Sequence, residues 1–463
     1  MTSARGALPV GFWRAWLFAP RDAAALVVFR IAFGLLIAVS ATRFLAYDWV
    51  EPLFVAPRFH FAYWGFEWVP HPGPRGVYAL FAALIPLGLM VAAGAFYRFA
   101  SAALFVAFAW LQLLDVSNWL NHYYLASVLA LLLALMPLHR AFSIDAWRRP
   151  SLRSATLPGW CTALLRFQVG VVYVFAGLAK LNSDWLLHAQ PLSLWLGARS
   201  DLPLVGPLLE LPATAYLMSW AGFLFDTTIV LWLSLRPTRK AAYAAVLLFH
   251  AATWVLFPIG MFPFIMTAAA LVFFEPGWPR ALLRLRTPAP GVVQVPRFAT
   301  AGLVVAAAWA LLQLGLPLRA NLYGGEVSWH EQGMRFSWRV MTREKNGAVT
   351  FHVTSKVTGR QWQVAPSRYL TRLQERELAV QPDLILQLAH HLGADFEKRG
   401  LGPVEVRAEA WVSWNARPAA LLIDPQVDLL TVSDGLANKR WIRPAPDTAG
   451  PLSAQPKVAF LAR

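Results

Sequence analysis

Residues 24–46 read AALVVFRIAFGLLIAVSATRFLA, an apolar run in which Arg30 and Arg43 are the charged residues. A helix of this length spans about 30 Å, which is the thickness of the hydrocarbon core of a bilayer. A second run of the same kind, VYALFAALIPLGLMVAAGAFY, occupies residues 77–97. Both runs are longer than a globular core helix requires, so they predict helices that cross a membrane.

The composition extends this prediction to most of the chain. Hydrophobic residues make up 57% and charged residues 14% of the 463 positions, whereas soluble domains are about one quarter charged. Hydropathy indicates nine apolar segments, of which the third and eighth are short enough to be tilted or re-entrant. They are residues 24–46, 77–97, 99–114, 121–137, 162–181, 213–235, 239–257, 260–275 and 299–317. We therefore expect an α-helical polytopic membrane domain over residues 24–317.

The net charge of +16 is explained by topology rather than by nucleic-acid binding, because the arginines gather in short loops between apolar runs. With the N-terminal segment 1–23 placed in the cytoplasm, the loops on that side hold fifteen lysines and arginines, and the opposite short loops hold three. Residues 1–20 lack the apolar core of a signal peptide and are interpreted as a retained cytoplasmic start. Nine crossings then place the C-terminus outside the cytoplasm.

A different composition begins after Pro317, where charged residues become frequent. Residues 349–353 and 404–412 alternate in the manner of strands, and residues 378–399 read as one helix with Pro382 near its start and Gly400 just past its end. The sequence predicts an extracytoplasmic, strand-rich α+β domain over residues 318–445 and a tail over 446–463.

Four polar residues are predicted to lie at the same outer boundary of the membrane: Asn121 and His122 at the start of the fourth apolar segment, and Lys180 and Asp184 at the end of the fifth. A lysine held in an apolar pocket can act as a base at neutral pH. The alternative for Lys180 is an ammonium that extends to the interface, and the alternative for His122 is a cap or interface residue.

Other ionisable groups lie within the apolar segments. Asp226 and His250 can pair with each other, with Arg30 or with Arg166, and a structural role is the simplest interpretation of both arginines. The single cysteine, Cys161, excludes an intramolecular disulfide and a cysteine-based metal site. The absence of an H-x-x-x-H pair argues against a di-iron centre, and we expect no metal.

Several short strings resemble the vitamin K-dependent γ-glutamyl carboxylases and their bacterial relatives with an HTTM-type membrane domain. In the membrane domain they are R-I-A-F-G-L-L from Arg30, N-W-L-N-H-Y-Y-L from Asn118, V-Y-V-F-A-G-L-A-K-L-N-S-D-W from Val172, and I-G-M-F-P-F-I-M from Ile259, followed by E-P-G-W-P-R. In the C-terminal domain they are L-Y-G at Leu322, S-W-R-V-M at Ser337, W-V-S-W-N-A-R at Trp411 and D-P-Q-V-D at Asp424. The resemblance covers roughly residues 25–445.

The resemblance implies an enzyme that couples epoxidation of reduced vitamin K by O₂ to carboxylation of peptidyl glutamate by CO₂. It makes Lys180 the base that deprotonates the hydroquinone, with His122 and Asn121 assisting. It further implies cofactor or substrate contacts by Tyr124, Asp184, Trp185, Trp338 and Met341. The expected cofactor is a menaquinol-type hydroquinone from the quinone pool of a bacterial inner membrane, and the expected partner is a glutamate-containing peptide or protein.

Two departures from the animal enzymes keep other functions open. This chain is shorter, and Phe96-Tyr97-Arg98 stands where the animal enzymes have C-Y-R, so the disulfide that joins their two parts cannot form. The alternatives are a quinol-oxidising or epoxidising membrane enzyme without peptide carboxylation, and a non-enzymatic membrane scaffold or transporter.

Overall fold

The computed structural model describes residues 10–287 and 299–446, so part of segment 1–23 and nearly all of the predicted tail lie outside the described residues. The first part of the chain is almost entirely helical. Its helices are α1 (Val10–Phe18), α2 (Ala24–Ala46), α3 (Gly73–Ala93), α4 (Tyr97–Leu113), α5 (Asn121–Leu135), α6 (Ile144–Arg148), α7 (Gly159–Ala179), α8 (Ser183–His188), α9 (Leu192–Gly197), α10 (Gly206–Leu209), α11 (Pro212–Ser234), α12 (Arg239–Leu256), α13 (Phe262–Ala270), α14 (Trp278–Leu282) and α15 (Ala299–Leu318).

Each predicted apolar segment contains a helix, but the count of nine spans is not confirmed. Among the described residues, five helices are both long and apolar enough to cross a membrane: α2, α3, α7, α11 and α15 with its 3-10 extension to Tyr323. Helices α4, α5 and α13 are apolar but shorter, and α12 begins with Arg239 and Lys240. The protein is thus an integral membrane protein by helix length and composition, and the orientation of its termini remains a prediction.

Close packing of α2 against α3 depends on two glycines. A Cβ atom at Gly34 would lie 2.4 Å from the Gly88 carbonyl oxygen, and one at Gly88 would lie 2.6 Å from the Gly34 carbonyl oxygen. The two backbones therefore touch, as is common where membrane helices associate through small residues.

The segments predicted to face the cytoplasm contact one another at one end of the helices. Strand β1 (Pro20–Asp22) pairs antiparallel with β2 (Thr156–Pro158), and Arg280 binds Asp22 at 2.9 Å. Arg236, in the predicted loop 236–240, binds Glu275 at 2.8 Å, and Glu275 directly precedes the predicted loop 276–298. These contacts agree with placing residues 1–23, 138–161, 236–240 and 276–298, which are predicted to be cytoplasmic, on a single side of the membrane.

The C-terminal domain (residues 319–446) is built on a four-stranded antiparallel sheet in the order β4-β3-β5-β6. The strands are β3 (Lys345–Ser355), β4 (Gln361–Val364), β5 (Val404–Trp414) and β6 (Ala420–Leu421). Alternate residues of β3 and β5 are buried, and Phe351 lies opposite Ala408 with both side chains in the core. This alternation confirms the predicted strands.

The helix predicted over residues 378–399 is two helices. They are α17 (Arg372–Val380) and α18 (Pro382–Lys398), and both pack against the sheet. A short helix, α16 (Val327–His330), precedes the sheet. Pro382 is the first residue of α18, where its missing N–H costs no helical hydrogen bond, and it cannot continue α17. The break therefore falls at Gln381, and residues 378–380 belong to the preceding helix.

A junction segment, residues 331–343, links α16 to the sheet and lies against the membrane domain. Glu331, Phe336, Trp338 and Met341 all have positive φ values, between 53° and 65°. Side chains with a Cβ atom rarely adopt this conformation, and they persist in it only where surrounding packing imposes it. Such packing is provided by Tyr124 on α5, whose ring stacks on the fully buried Trp338 at 4.8 Å.

Candidate active site at the junction of the two domains

Lys180 follows the last residue of α7, and its side chain is buried. Its ammonium nitrogen, Nζ, donates to Asp226 Oδ2 of α11 at 2.8 Å and to the Ala176 carbonyl oxygen at 3.1 Å. Close approach of α7 and α11 makes this pair possible, since a Cβ atom at Gly177 would lie 2.8 Å from the Thr227 backbone nitrogen. The side chains of Lys180 and Asp226 are each only 7% exposed, so Lys180 does not extend its ammonium into solvent.

These two residues line a small cavity, here called the lysine cavity, of about 80 Å³. Most of its wall is apolar or aromatic. The aromatic lining residues are Tyr173, Trp185, Phe249, Phe257 and Phe262. Lys180 Nζ lies 5.1 Å from the centre of the Trp185 ring, which adds a cation–π contact. A second polar pair is formed by the Tyr173 hydroxyl and His250 Nε2 at 2.9 Å, while His250 Nδ1 is buried and has no hydrogen-bond partner among the described residues.

His122 does not line the lysine cavity. It is buried at the start of α5, close enough to Gly260 that a Cβ atom there would lie 3.4 Å from His122 Nε2. Its ring centre is 6.4 Å from that of Phe262, and Phe262 also contacts His250 and lines the cavity. The structure therefore connects His122 to Lys180 through the wall residue Phe262, without direct contact within the cavity.

A larger pocket, the junction pocket, lies between the membrane domain and the C-terminal domain. Its volume is about 400 Å³. Asn121 lines it and has a buried side-chain oxygen, Oδ1, with no hydrogen-bond partner in the described chain. Four arginines also line it: Arg335, Arg339, Arg343 and Arg376. Met341 lines both the junction pocket and the lysine cavity, so the two spaces share a wall.

Tyr124 and Trp338 hold the junction segment rather than lining either space. Besides stacking on Trp338, Tyr124 accepts a hydrogen bond through its hydroxyl from Gln313 Nε2 of α15 at 3.2 Å. Gln313 accepts a hydrogen bond from Gln168 of α7 at 3.0 Å. This chain of contacts fixes the junction segment to α5, α7 and α15.

Asp184 joins the two domains. Its carboxylate accepts hydrogen bonds from Arg417 Nη2 at 2.6 Å, from Arg417 Nη1 at 2.8 Å and from Asn415 Nδ2 at 2.8 Å. All three residues are buried. Trp185, the next residue, lines the lysine cavity and donates through its indole nitrogen to the Ser219 carbonyl oxygen at 2.8 Å.

The partners expected for the other intramembrane charges are corrected by the structure. Asp226 pairs with Lys180, and His250 pairs with Tyr173. Arg30 donates to the carbonyl oxygens of Ala92, Leu138, Ala141 and Phe142, and Arg166 donates to those of Val272, Phe273 and Phe274. Both arginines are structural, as expected, but they bind carbonyl groups at or just after the ends of helices instead of carboxylates.

Tyr173, Gln313, Asn415 and Arg417 were not singled out from the sequence, nor were the four arginines of the junction pocket. Tyr173, Asn415 and Arg417 lie inside strings that carry the family resemblance, which is the signal that marks them. Across residues 10–287 and 299–446, no group of three or more His, Cys, Asp or Glu side chains is arranged to hold a metal ion.

Comparison with known families gives two models that match consecutive parts of the chain. The family model described as the HTTM domain matches residues 18–278, more than half of the chain. The model described as the vitamin K-dependent gamma-carboxylase lumenal domain matches residues 299–448. No solved structure matches the chain. With a membrane domain and a C-terminal domain of these two types in one chain, the protein belongs to the vitamin K-dependent γ-glutamyl carboxylase family.

Proposed function

We propose that the protein carboxylates peptidyl glutamate, using a menaquinol-type vitamin K hydroquinone, O₂ and CO₂. The observation that carries this proposal is the buried Lys180–Asp226 pair in an apolar, aromatic cavity beside the C-terminal domain. A bound hydroquinone supplies, with O₂, a base strong enough to remove a carbon-bound proton, which no side chain can do.

Lys180 has the position and the partner that a proton acceptor needs. Its ammonium ion would be costly in an apolar cavity without a counter-charge, and Asp226 provides that charge at 2.8 Å. As a general base, the Lys180 amine would accept a proton from a hydroquinone hydroxyl, and the Asp226 carboxylate would stabilise the ammonium ion that forms. The aromatic walls exclude water from this transfer and offer ring faces to a quinoid ring.

The cavity must widen before a ring can enter. Its volume of about 80 Å³ is well below the 300–1,000 Å³ of common ligand sites. Two of its wall residues, Met218 and Met341, have flexible, unbranched side chains that adapt readily to a ligand. Lateral entry from the quinone pool of the bilayer suits a lipid-soluble cofactor, while a peptide would reach the junction pocket from the extracytoplasmic side.

The test incubates the purified protein with reduced vitamin K, O₂, labelled bicarbonate and a glutamate-rich peptide, and it measures epoxide and fixed label separately. We expect both products from the wild type and a loss of epoxide by about 100-fold or more in Lys180→Ala, the usual contribution of a general base. Lys240→Ala is the matched control, because Lys240 is exposed and begins α12 in a segment predicted to face the cytoplasm.

Separate measurement of the two products distinguishes the possible outcomes. Epoxide without label in the peptide would reduce the function to quinol oxidation. Undiminished epoxide in Lys180→Ala would refute the assignment of the base, and absence of both products in the wild type would refute the enzymatic proposal.

A further inference from the structure

The junction pocket carries excess positive charge. Four arginines and two glutamates, Glu331 and Glu377, are its charged lining residues among those the structure describes. Three of the arginines form ion pairs with carboxylates of the protein: Arg335 with Asp383 at 2.5 Å, Arg343 with Glu331 at 3.1 Å and Arg376 with Glu377 at 3.2 Å. Glu331 is shared with Lys345, which it contacts at 3.0 Å.

Arg339 is different from these three. Its guanidinium donates to the neutral Asn321 Oδ1 at 3.4 Å, a long hydrogen bond, and no described carboxylate lies within 4.0 Å of it. Arg30 and Arg166, by contrast, each donate to three or more carbonyl groups. Arg339 is half-buried and lines a pocket of about 400 Å³. Glu326 attracts its charge only from beyond ion-pair distance, so Arg339 is a partly desolvated cation with no carboxylate in direct contact among the described residues.

We propose that Arg339 binds a carboxylate of an acidic peptide in the junction pocket and thereby determines specificity for glutamate over glutamine. This inference rests on the proposed function, because it names the residue that would hold its peptide substrate. A guanidinium fork matches a carboxylate in two parallel hydrogen bonds, an arrangement that an amide side chain cannot accept equally.

The position of Arg339 along the chain would place the bound carboxylate close to the lysine cavity. Met341, two residues further, forms part of both the junction pocket and the lysine cavity. Two residues span at most about 7 Å of backbone, so a side chain held at Arg339 would end beside the shared wall. The backbone on either side of Arg339 is held in place by the buried Trp338 and by the positive φ values of Trp338 and Met341.

The test measures peptide binding in the absence of quinone. A fluorescently labelled decapeptide with two glutamates, and the same peptide with glutamines, are titrated with full-length protein in detergent while anisotropy is recorded. We expect Arg339→Gln to weaken binding of the glutamate peptide by about tenfold or more and to leave binding of the glutamine peptide unchanged. Arg339→Lys keeps the charge but loses the fork, so an intermediate loss is expected.

Arg360→Gln is the matched control: Arg360 is exposed, lies over the Trp362 ring on the turn between β3 and β4, and forms no ion pair with a carboxylate in the part of the chain that the structure describes. It removes the same charge from the same domain and should change neither affinity. Equal affinity of the wild type for the two peptides would overturn the proposal. So would a glutamate-peptide affinity in Arg339→Gln equal to that of the wild type, or an equal loss for both peptides.

Epoxide formation measured without peptide separates this proposal from the proposed function. Wild-type protein that forms no epoxide but prefers the glutamate peptide, with that preference lost in Arg339→Gln, would refute the function and retain the carboxylate site. A circular dichroism spectrum and a gel-filtration profile matching the wild type establish that Arg339→Gln is folded. Should it not fold, the Arg339→Lys titration decides the question alone.

Discussion

Replacing Asp184 by asparagine tests whether a single ion pair holds the C-terminal domain on the membrane domain. The Asp184 carboxylate is bound by both terminal nitrogens of Arg417 and by Asn415, and the side chains of Asp184 and Arg417 are 9% and 6% exposed. Removing one partner of a buried pair leaves the other charge without compensation, which costs about 3 to 5 kcal/mol. Because each 1.4 kcal/mol is a factor of ten, local opening of the interface should become more than about 100-fold more frequent.

Hydrogen–deuterium exchange measured by mass spectrometry gives a direct readout of this opening. The backbone N–H of Asn415 donates to Glu344 and that of Arg417 donates to Trp414, both within the C-terminal domain. Since the side chains of Asn415 and Arg417 are held by Asp184, these two amides report on loosening of the loop that contacts the membrane domain. Exchange in the peptide containing them should accelerate in Asp184→Asn. Arg399→Gln breaks an exposed pair, which is worth at most about 1 kcal/mol, and serves as the control.

A double variant distinguishes the pair from its surroundings. Asp184→Leu combined with Arg417→Met removes both charges, so its exchange should lie closer to the wild type than the sum of the two single effects predicts. Unchanged exchange in Asp184→Asn, or strictly additive effects in the double variant, would show that other contacts hold the domains together.

Three further predictions concern packing and pH. Burial alone would raise the pKa of Asp383, but Arg335 holds this pKa below its usual value. The stability that the Asp383–Arg335 pair contributes is therefore complete above about pH 4 and is lost as the pH falls further. Asp383→Asn should reduce the loss of unfolding free energy in acid, measured by thermal unfolding at a series of pH values. Burial lowers the pKa of Lys345 to about 8, although Glu331 opposes the shift. Between about pH 8 and 10.4 the unfolded chain therefore binds more protons than the folded chain, so the folded state should gain stability as the pH rises through this window. Lys345→Met should abolish this gain in a pH series of thermal unfolding. Gly34→Ala should lower the free energy of unfolding by about 1 to 3 kcal/mol, measured by thermal unfolding in detergent, because the added methyl group meets the Gly88 backbone, and a variant as stable as the wild type would contradict the contact.

The sequence predicted the helical segments well because the requirement to fill a hydrocarbon layer acts locally. The helix expected at residues 24–46 occurs as Ala24–Ala46, and that expected at 213–235 occurs as Pro212–Ser234. The number of crossings did not follow, because helices as short as Phe262–Ala270 can be apolar without spanning a bilayer.

The candidate site was predicted in part. Depth and side of the membrane grouped Lys180 with Asp184, and both lie near the junction of the domains. The pairing of Lys180 with Asp226 could not be predicted, because it depends on the rotation of α7 and α11 about their axes and on the space left at Gly177. Likewise, Arg417 binds Asp184 across 233 positions of chain, a contact that no local pattern records.

The shared wall between the lysine cavity and the junction pocket makes the membrane domain dependent on the C-terminal domain. Val340 and Met341 are contributed by the C-terminal domain, yet they close a space otherwise built from membrane helices. Replacing the C-terminal domain by an unrelated domain would remove Val340 and Met341 from the wall of the lysine cavity and expose Lys180 Nζ to water. A chain without the C-terminal domain would therefore keep Lys180 and Asp226 but lose the apolar surface that covers them on this side.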